Sequence, residues 1–184
     1  MSKPRIAVVS PFIDKRHGTE RSVAECIERL SGEYEIHVYC NHVADLDLDK
    51  ITWHRIPALP GPHLLSYVWW FVANHLWRLW DRKFRGLLPE VIFSPGINCW
   101  DANVIQVHVV FAQLREHMRE QLLFGYNPWN TWHEIAHRRI YYSLIASLER
   151  RIYPRPEVHL VAVSSKTAGD LAHFYGRTSN IQVA

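Results

Sequence analysis

Short runs of β-branched and apolar residues recur along this chain and alternate with longer stretches of helical periodicity, a pattern that few folds accommodate. The runs fall at residues 5–10, 35–40, 51–56, 91–94, 104–107, 159–163 and 181–183. Between them apolar side chains return every three or four positions, as Val23, Ala24, Ile27 and Leu30 do in the segment 20–30, the spacing of one helix face. The other expected helices cover residues 64–88, 110–123, 132–153 and 164–175, and Gly32, Pro60-Gly61-Pro62, Pro95-Gly96, Pro154 and Gly176 punctuate the pattern. Strands separated by helices pair in parallel, because a parallel return needs a crossover long enough to hold a helix. The expected fold is therefore α/β, a mostly parallel sheet with helices on both faces. At 184 residues the length suits one domain over 1–184, large enough to bury about two-thirds of its unfolded surface.

Composition narrows the class further. The three cysteines, Cys26, Cys40 and Cys99, are an odd number at unrelated spacings, so no disulfide framework is expected and a reducing cytoplasm suits the chain. Met-Ser-Lys-Pro-Arg runs straight into Ile6-Ala7-Val8-Val9, which leaves no room for a secretory leader. A net charge of +3, from 21 Lys+Arg against 18 Asp+Glu, is too small to argue for a nucleic-acid partner.

The segment 64–88 stands out, because five of the eight tryptophans lie between Trp53 and Trp80. Polar residues recur within it at Asn74, Arg78, Asp81 and Arg85, and this spacing predicts a helix with a very wide apolar face. Interruption by Asn74, His75 and Arg78 argues against a membrane span, which needs about twenty consecutive apolar residues. The plainer reading buries this helix against the sheet. The other makes it a surface that touches a membrane peripherally or meets a lipid-linked substrate.

Open α/β sheets bind ligands beyond the carboxyl ends of their strands. That rule selects three places. The first is the loop after the first strand, Asp14-Lys15-Arg16-His17-Gly18-Thr19-Glu20, which delivers a glycine to a helix start where amides and dipole favour an anion. An ordinary turn would look the same, and the full G-x-G-x-x-G fingerprint is absent. The second is His108, at the end of the run 104–107; a structural histidine is the alternative there. The third is Ser164-Ser165-Lys166, whose hydroxyls most simply cap a helix.

One motif points elsewhere. His133-Glu134-Ile135-Ala136-His137 matches H-E-x-x-H, in which two histidines on one helix face bind zinc and the glutamate serves as a base. Twelve histidines in the chain make such a match easy to meet by chance. A third ligand is also missing at the spacings known for zinc hydrolases, since Ile140 and Ser143 stand where glycine and histidine would be needed. A zinc hydrolase and a non-catalytic binding module remain the alternatives.

Taken in order, the strand 6–10, the Gly18-Thr19-Glu20 turn, Val107-His108 and Val161-Ala162-Val163-Ser164-Ser165-Lys166-Thr167-Ala168-Gly169-Asp170-Leu171 with Tyr175-Gly176 closely resemble glycosyltransferase family 4. The resemblance implies a Rossmann-like domain, the N-terminal, acceptor-side half of a GT-B enzyme that transfers sugar with retention. It implies that His17, Gly18 and Thr19 form a loop against the donor diphosphate and that His108 is catalytic, contacting the transferred sugar. Arg16, Asn98, Phe111 and Ser164 become acceptor-cleft candidates. The family's usual glycine pair is His17-Gly18 here. The implied partners are a nucleotide-sugar donor, held mainly by a C-terminal domain expected to lie beyond residue 184, and a carbohydrate or lipid-linked acceptor. No metal and no other cofactor is expected, and residues 1–184 alone are expected to be inactive. The implied location is the cytoplasm, peripheral at the inner face of the membrane.

Overall fold

The computed structural model describes residues 3–124 and 132–184, with the side chains of 119–124 and 132–134 outside that description. The chain forms two compact units, Met1–Gln106 and Val107–Ala184. In chain order the first holds β1 (Arg5–Val9), β2 (Phe12–Ile13), α1 (Gly18–Leu30), β3 (Glu35–Cys40), β4 (His42–Val43), β5 (Ile51–Arg55), α2 (His63–Arg85), β6 (Val91–Pro95) and β7 (Val104–Val107), whose last residue opens the second unit.

The main sheet of the first unit runs β5-β3-β1-β6-β7. Every pairing is parallel, with Ala7 opposite both His37 and Ile92, Tyr39 opposite His54, and Ser94 opposite Ile105. β1 occupies the middle because its run is apolar on both sides: Ile6, Ala7, Val8 and Val9 are all buried, as parallel strands covered on both faces must be. The chain winds outward from β1 in one direction through β3 and β5, then returns to wind the other way through β6 and β7. This reversal is the Rossmann-like arrangement, and it opens a crevice at the carboxyl ends of β1 and β6.

Two features depart from the sequence pattern. A two-strand parallel pair, β2 with β4, joins Phe12 to His42 and Ile13 to Val43, and two-residue strands carry too little periodicity to be read. More consequential is α2. It ends at Arg85, three residues before the expected end, because Gly86 takes a left-handed φ of 65° and donates its N–H to the Asp81 carbonyl.

The helix also buries the stripe that looked polar. Asn74, Arg78 and Asp81 are buried together with Trp70 and Ala73, while Leu76, Trp80 and Phe84 are 59%, 58% and 59% exposed. The reason lies in partners brought from far along the chain. Asn74 Nδ2 donates to the Trp70 carbonyl at 2.7 Å and the Asn98 carbonyl at 3.0 Å. Arg78 forks onto Asp101 at 2.7 and 2.6 Å, the bidentate geometry a planar guanidinium favours. Asp81 accepts from Tyr39 Oη at 3.0 Å and lies 2.7 Å from His54 Nδ1 and 3.2 Å from Arg85.

The chain of contacts continues from His54 Nε2 to His37 Nδ1 at 3.0 Å and from His37 Nε2 to Glu35 Oε1 at 3.0 Å. Burial is the main influence on His54 and pushes its imidazole below the ordinary range, against the pull of Asp81.

The second unit holds α3 (Phe111–Phe124), α4 (Trp132–Ile152), β8 (His159–Ala162), α5 (Ser165–Tyr175) and β9 (Ile181–Val183). β8 and β9 are parallel, Leu160 facing Ile181 and Ala162 facing Val183. Its core gathers Ile145, Ile152, Tyr153, Leu160 and Leu171. Helix α5 begins at the expected cap, where Ser164 Oγ accepts from Thr167 N, and stops at Gly176 with φ 64°. Arg177 is buried just beyond and donates to the carbonyls of Arg155 and Val158, closing the turn after α4.

Candidate functional site

In the first unit the loop from β1 to α1 is organised by Asp14. Its carboxylate accepts from the amides of Arg16 at 2.9 Å and His17 at 3.1 Å, and the His17 ring lies at 2.9 Å. Burial tends to raise its pKa, but the bonds from His17 and Arg16 prevail and hold the carboxyl below the usual carboxylate range. A carboxylate fastened at three points sets the path into α1. The helix begins at Gly18, two residues before the expected start, with His17 as its extended N-cap.

The His17 side chain makes no capping bond, so it leaves the first-turn amides of α1 unoccupied by the residue that usually serves them. A Cβ built on Gly18 would meet nothing within 4 Å. The fold itself therefore does not demand glycine at this position. An open depression of about 530 Å³ extends from Gly18 along α1, lined by Arg21, Ser22, Glu25, Cys26 and Arg29. Cys26, which the sequence places in an apolar segment, is exposed there. Arg16 projects beside the loop, 81% exposed and 4.0 Å from Asp45, and Thr19 is half-buried.

Across the crevice, the loop after β6 is braced by hydrogen bonds. Gly96 has φ +81°, a conformation that penalises any side chain, and its N–H donates to the Gln106 carbonyl at 2.8 Å. Asn98 is buried, its Nδ2 donating to the Pro95 carbonyl at 2.7 Å, and Tyr67 Oη holds the neighbouring Ile97 carbonyl at 2.6 Å. Asn98 thus braces its own loop. Gln106, at the end of β7, donates to Ser22 Oγ of α1 at 3.2 Å. Arg16, His17, Gly18, Thr19 and Asn98 accordingly follow β1 and β6, the two strands that flank the crevice.

The remaining candidates belong to the second unit. His108 directly follows β7 and is half-buried. Ser164 caps α5 as described, with its Oγ also 3.0 Å from Thr167 Oγ1. Phe111 opens α3, its ring edge-on to Tyr142 at 5.7 Å, and its amide donates to Glu149 Oε1 at 3.0 Å.

Glu149 is the residue that sequence reasoning undervalued. It is fully buried and accepts also from Ala112 N at 3.2 Å and Tyr175 Oη at 2.6 Å. Burial dominates and pushes its carboxyl above the usual range, although these bonds oppose it. It satisfies the first amides of α3 from another helix. The available signal was one acid inside the apolar stripe Leu144, Ile145, Leu148, Ile152.

The side chains of His133 and Glu134 lie outside the described residues. Among the described residues no group of three His, Cys, Asp or Glu could hold a metal ion. Glu149, on the same helix as the motif, is committed to the three donors just named.

Comparison with known proteins supplies what one structure cannot. No curated protein matches the sequence. Among solved structures, WaaG, described as a glycosyltransferase involved in lipopolysaccharide biosynthesis, superposes with a TM-score of 0.63 over 97% of this chain at 11% identity. The chain spans 44% of the length of that protein, and the likeness establishes the fold, that of a GT-B N-terminal domain. The profile of Glycosyltransferase Family 4 matches residues 16–184, nearly the whole sequence, and the chain therefore belongs to glycosyltransferase family 4.

Proposed function

We propose that this chain is the acceptor-side part of an enzyme that moves a sugar, with retention, from a nucleotide-sugar donor to a carbohydrate or lipid-linked acceptor. The observation that carries the reading is the start of α1. Asp14 fixes a loop that presents Gly18, a glycine the fold does not require, at an open helix N-terminus beside the crevice. A missing side chain there is useful to something that approaches the backbone from outside, and exposed first-turn amides suit a diphosphate.

In this reading His17, Gly18 and Thr19 meet the diphosphate and His108 hydrogen-bonds the transferred sugar. Arg16, Asn98, Phe111 and Ser164 bear on the acceptor side, Asn98 and Ser164 through the loop and cap they hold in place. Amides and cations neutralise the leaving group, so the reaction needs no metal. Most donor contacts come from sequence outside these residues, consistent with a chain that spans 44% of WaaG. Three free cysteines suit the cytoplasm, and no helix among the described residues is long and apolar enough to cross a membrane; peripheral contact at the inner face goes with a lipid-linked acceptor.

The test is steady-state kinetics of the full-length enzyme. Gly18→Val should leave the melting temperature near that of the parent and raise the KM for donor at least about tenfold, since its side chain would occupy the space of the diphosphate. His108→Ala should lower kcat by about a hundredfold or more, the usual loss on removing a hydrogen bond to a reacting group. Unchanged donor KM in the first variant and unchanged turnover in the second would remove both residues from the site.

A further inference from the structure

Three residues separate the end of β7 from the start of α3, and His108 is the first of them. Both ends of this turn are fixed within the second unit. At one end the Val107 carbonyl accepts from Val163 N at 3.2 Å, which ties the last residue of β7 to the residue after β8. At the other, the amides of Phe111 and Ala112 donate to opposite oxygens of Glu149 at 3.0 and 3.2 Å. Val110, between the two anchors, is buried.

The manner in which α3 is capped is informative. A helix start is normally served by its own N-cap, a Ser, Thr, Asp or Asn directly before the first turn. Here Val110 holds that place and has no side-chain acceptor to give. The acceptor comes instead from α4, 38 residues along the chain, at the expense of desolvating a carboxylate. A local cap would set only the direction of α3. The remote one fixes the turn against two other helices, because Glu149 Oε2 also accepts from Tyr175 Oη of α5 at 2.6 Å. The Tyr175 ring is itself seated edge-on against buried Tyr153, with centroids 5.5 Å apart.

We propose that Glu149 is a positioning residue for His108, holding the β7–α3 turn so that the imidazole keeps one place relative to the sugar being transferred. The proposal rests on the reading in which His108 hydrogen-bonds that sugar, and adds to it the group that fixes His108. Glu149 is fully buried and therefore acts through the turn rather than on a substrate. Misplacing a reacting group by about 1 Å can lower turnover about a hundredfold. Both oxygens are needed, since glutamine of the same shape keeps one acceptor and turns an N–H₂ toward the remaining donors.

The test is a double-mutant cycle in the full-length enzyme, with kcat and donor KM measured where circular dichroism shows each variant folded. Glu149→Gln should lower kcat at least about tenfold and change the donor KM less than about twofold. In a His108→Ala background the same substitution should change kcat by less than about twofold, because nothing is left for it to position. If Glu149→Gln does not fold, Tyr175→Phe replaces it in the cycle. That variant removes only the third bond, so kcat should fall about threefold, and again not at all once His108 is alanine. Losses that add in the double variant, or a wild-type kcat in the single one, would overturn the proposal and leave His108 in its role. A His108→Ala enzyme with unchanged kcat would overturn the reading of His108, and the proposal with it.

Discussion

Glu149 shows how much a single buried carboxylate can organise. Two of its bonds replace the acceptors that the first amides of α3 lack, and the third joins α5 through Tyr175. Glutamine in its place would offer one carbonyl and turn an N–H₂ toward a donor. Glu149→Gln should therefore destabilise the protein by about 1 to 3 kcal/mol, the cost of leaving buried partners unsatisfied. The pH dependence has a definite sign. Because burial raises the Glu149 pKa above its ordinary value of 4.5, the folded state holds the proton more tightly than the unfolded one. Its contribution is complete below 4.5 and declines as pH rises through the elevated folded value. Denaturant titrations should show the gap between wild type and Glu149→Gln narrowing from acidic to neutral pH. A gap that widens would contradict this assignment of the burial effect. Residue-level legibility was uneven for a related reason: Ser164 could be read because a cap acts within three residues, whereas Glu149 acts over 38 residues.

At the level of elements, α2 separates what periodicity reveals from what it hides. Its length and wide apolar face were readable, because both follow from spacing along one segment. Which face turned inward was not readable. Burying Asn74, Arg78 and Asp81 is tolerable only with partners on β3, on β5 and in the loop before β7, 23 to 42 residues away, and no local pattern records them. An isolated buried charge would be prohibitively costly, so each partner decides the orientation of the whole helix. Asp81→Asn should consequently cost about 1 to 3 kcal/mol, as expected when buried hydrogen-bond partners are left unsatisfied. The variant should also raise amide exchange along α2 more than along α1. A cost near zero would mean that the apolar contacts of Trp70 and Ala73 alone hold the helix. The strands were legible throughout except for β2 and β4, whose pairing depends on the paths of the chain after β1 and β3 rather than on any alternation of their own.

On the scale of the molecule, the parallel order and the reversal about β1 locate the crevice, but they cannot supply a reaction. Many chemistries share this arrangement. The match to family 4 over residues 16–184 gives the family, and the chain spans 44% of the length of WaaG. The first unit holds a glycine-led helix start and a braced loop after β6, and a histidine follows β7. Among the described residues of the β1–α1 loop and α1 there is no assembled set of cations that could neutralise a leaving diphosphate: Arg21 pairs with Glu25 and Arg16 lies against Asp45. Stabilising developing charge is usually the largest catalytic term, and removing one such donor already costs about a hundredfold or more in rate. Residues 1–184 alone should therefore fold yet transfer no detectable sugar, while the full-length enzyme turns over. A radiolabelled-donor assay on both proteins, with far-UV circular dichroism to verify folding of the shorter one, decides the point. Transfer by the shorter protein at more than about a hundredth of the full-length rate would place the missing charge stabilisation within this chain and require a different assignment of Arg16, Arg21 and Arg29.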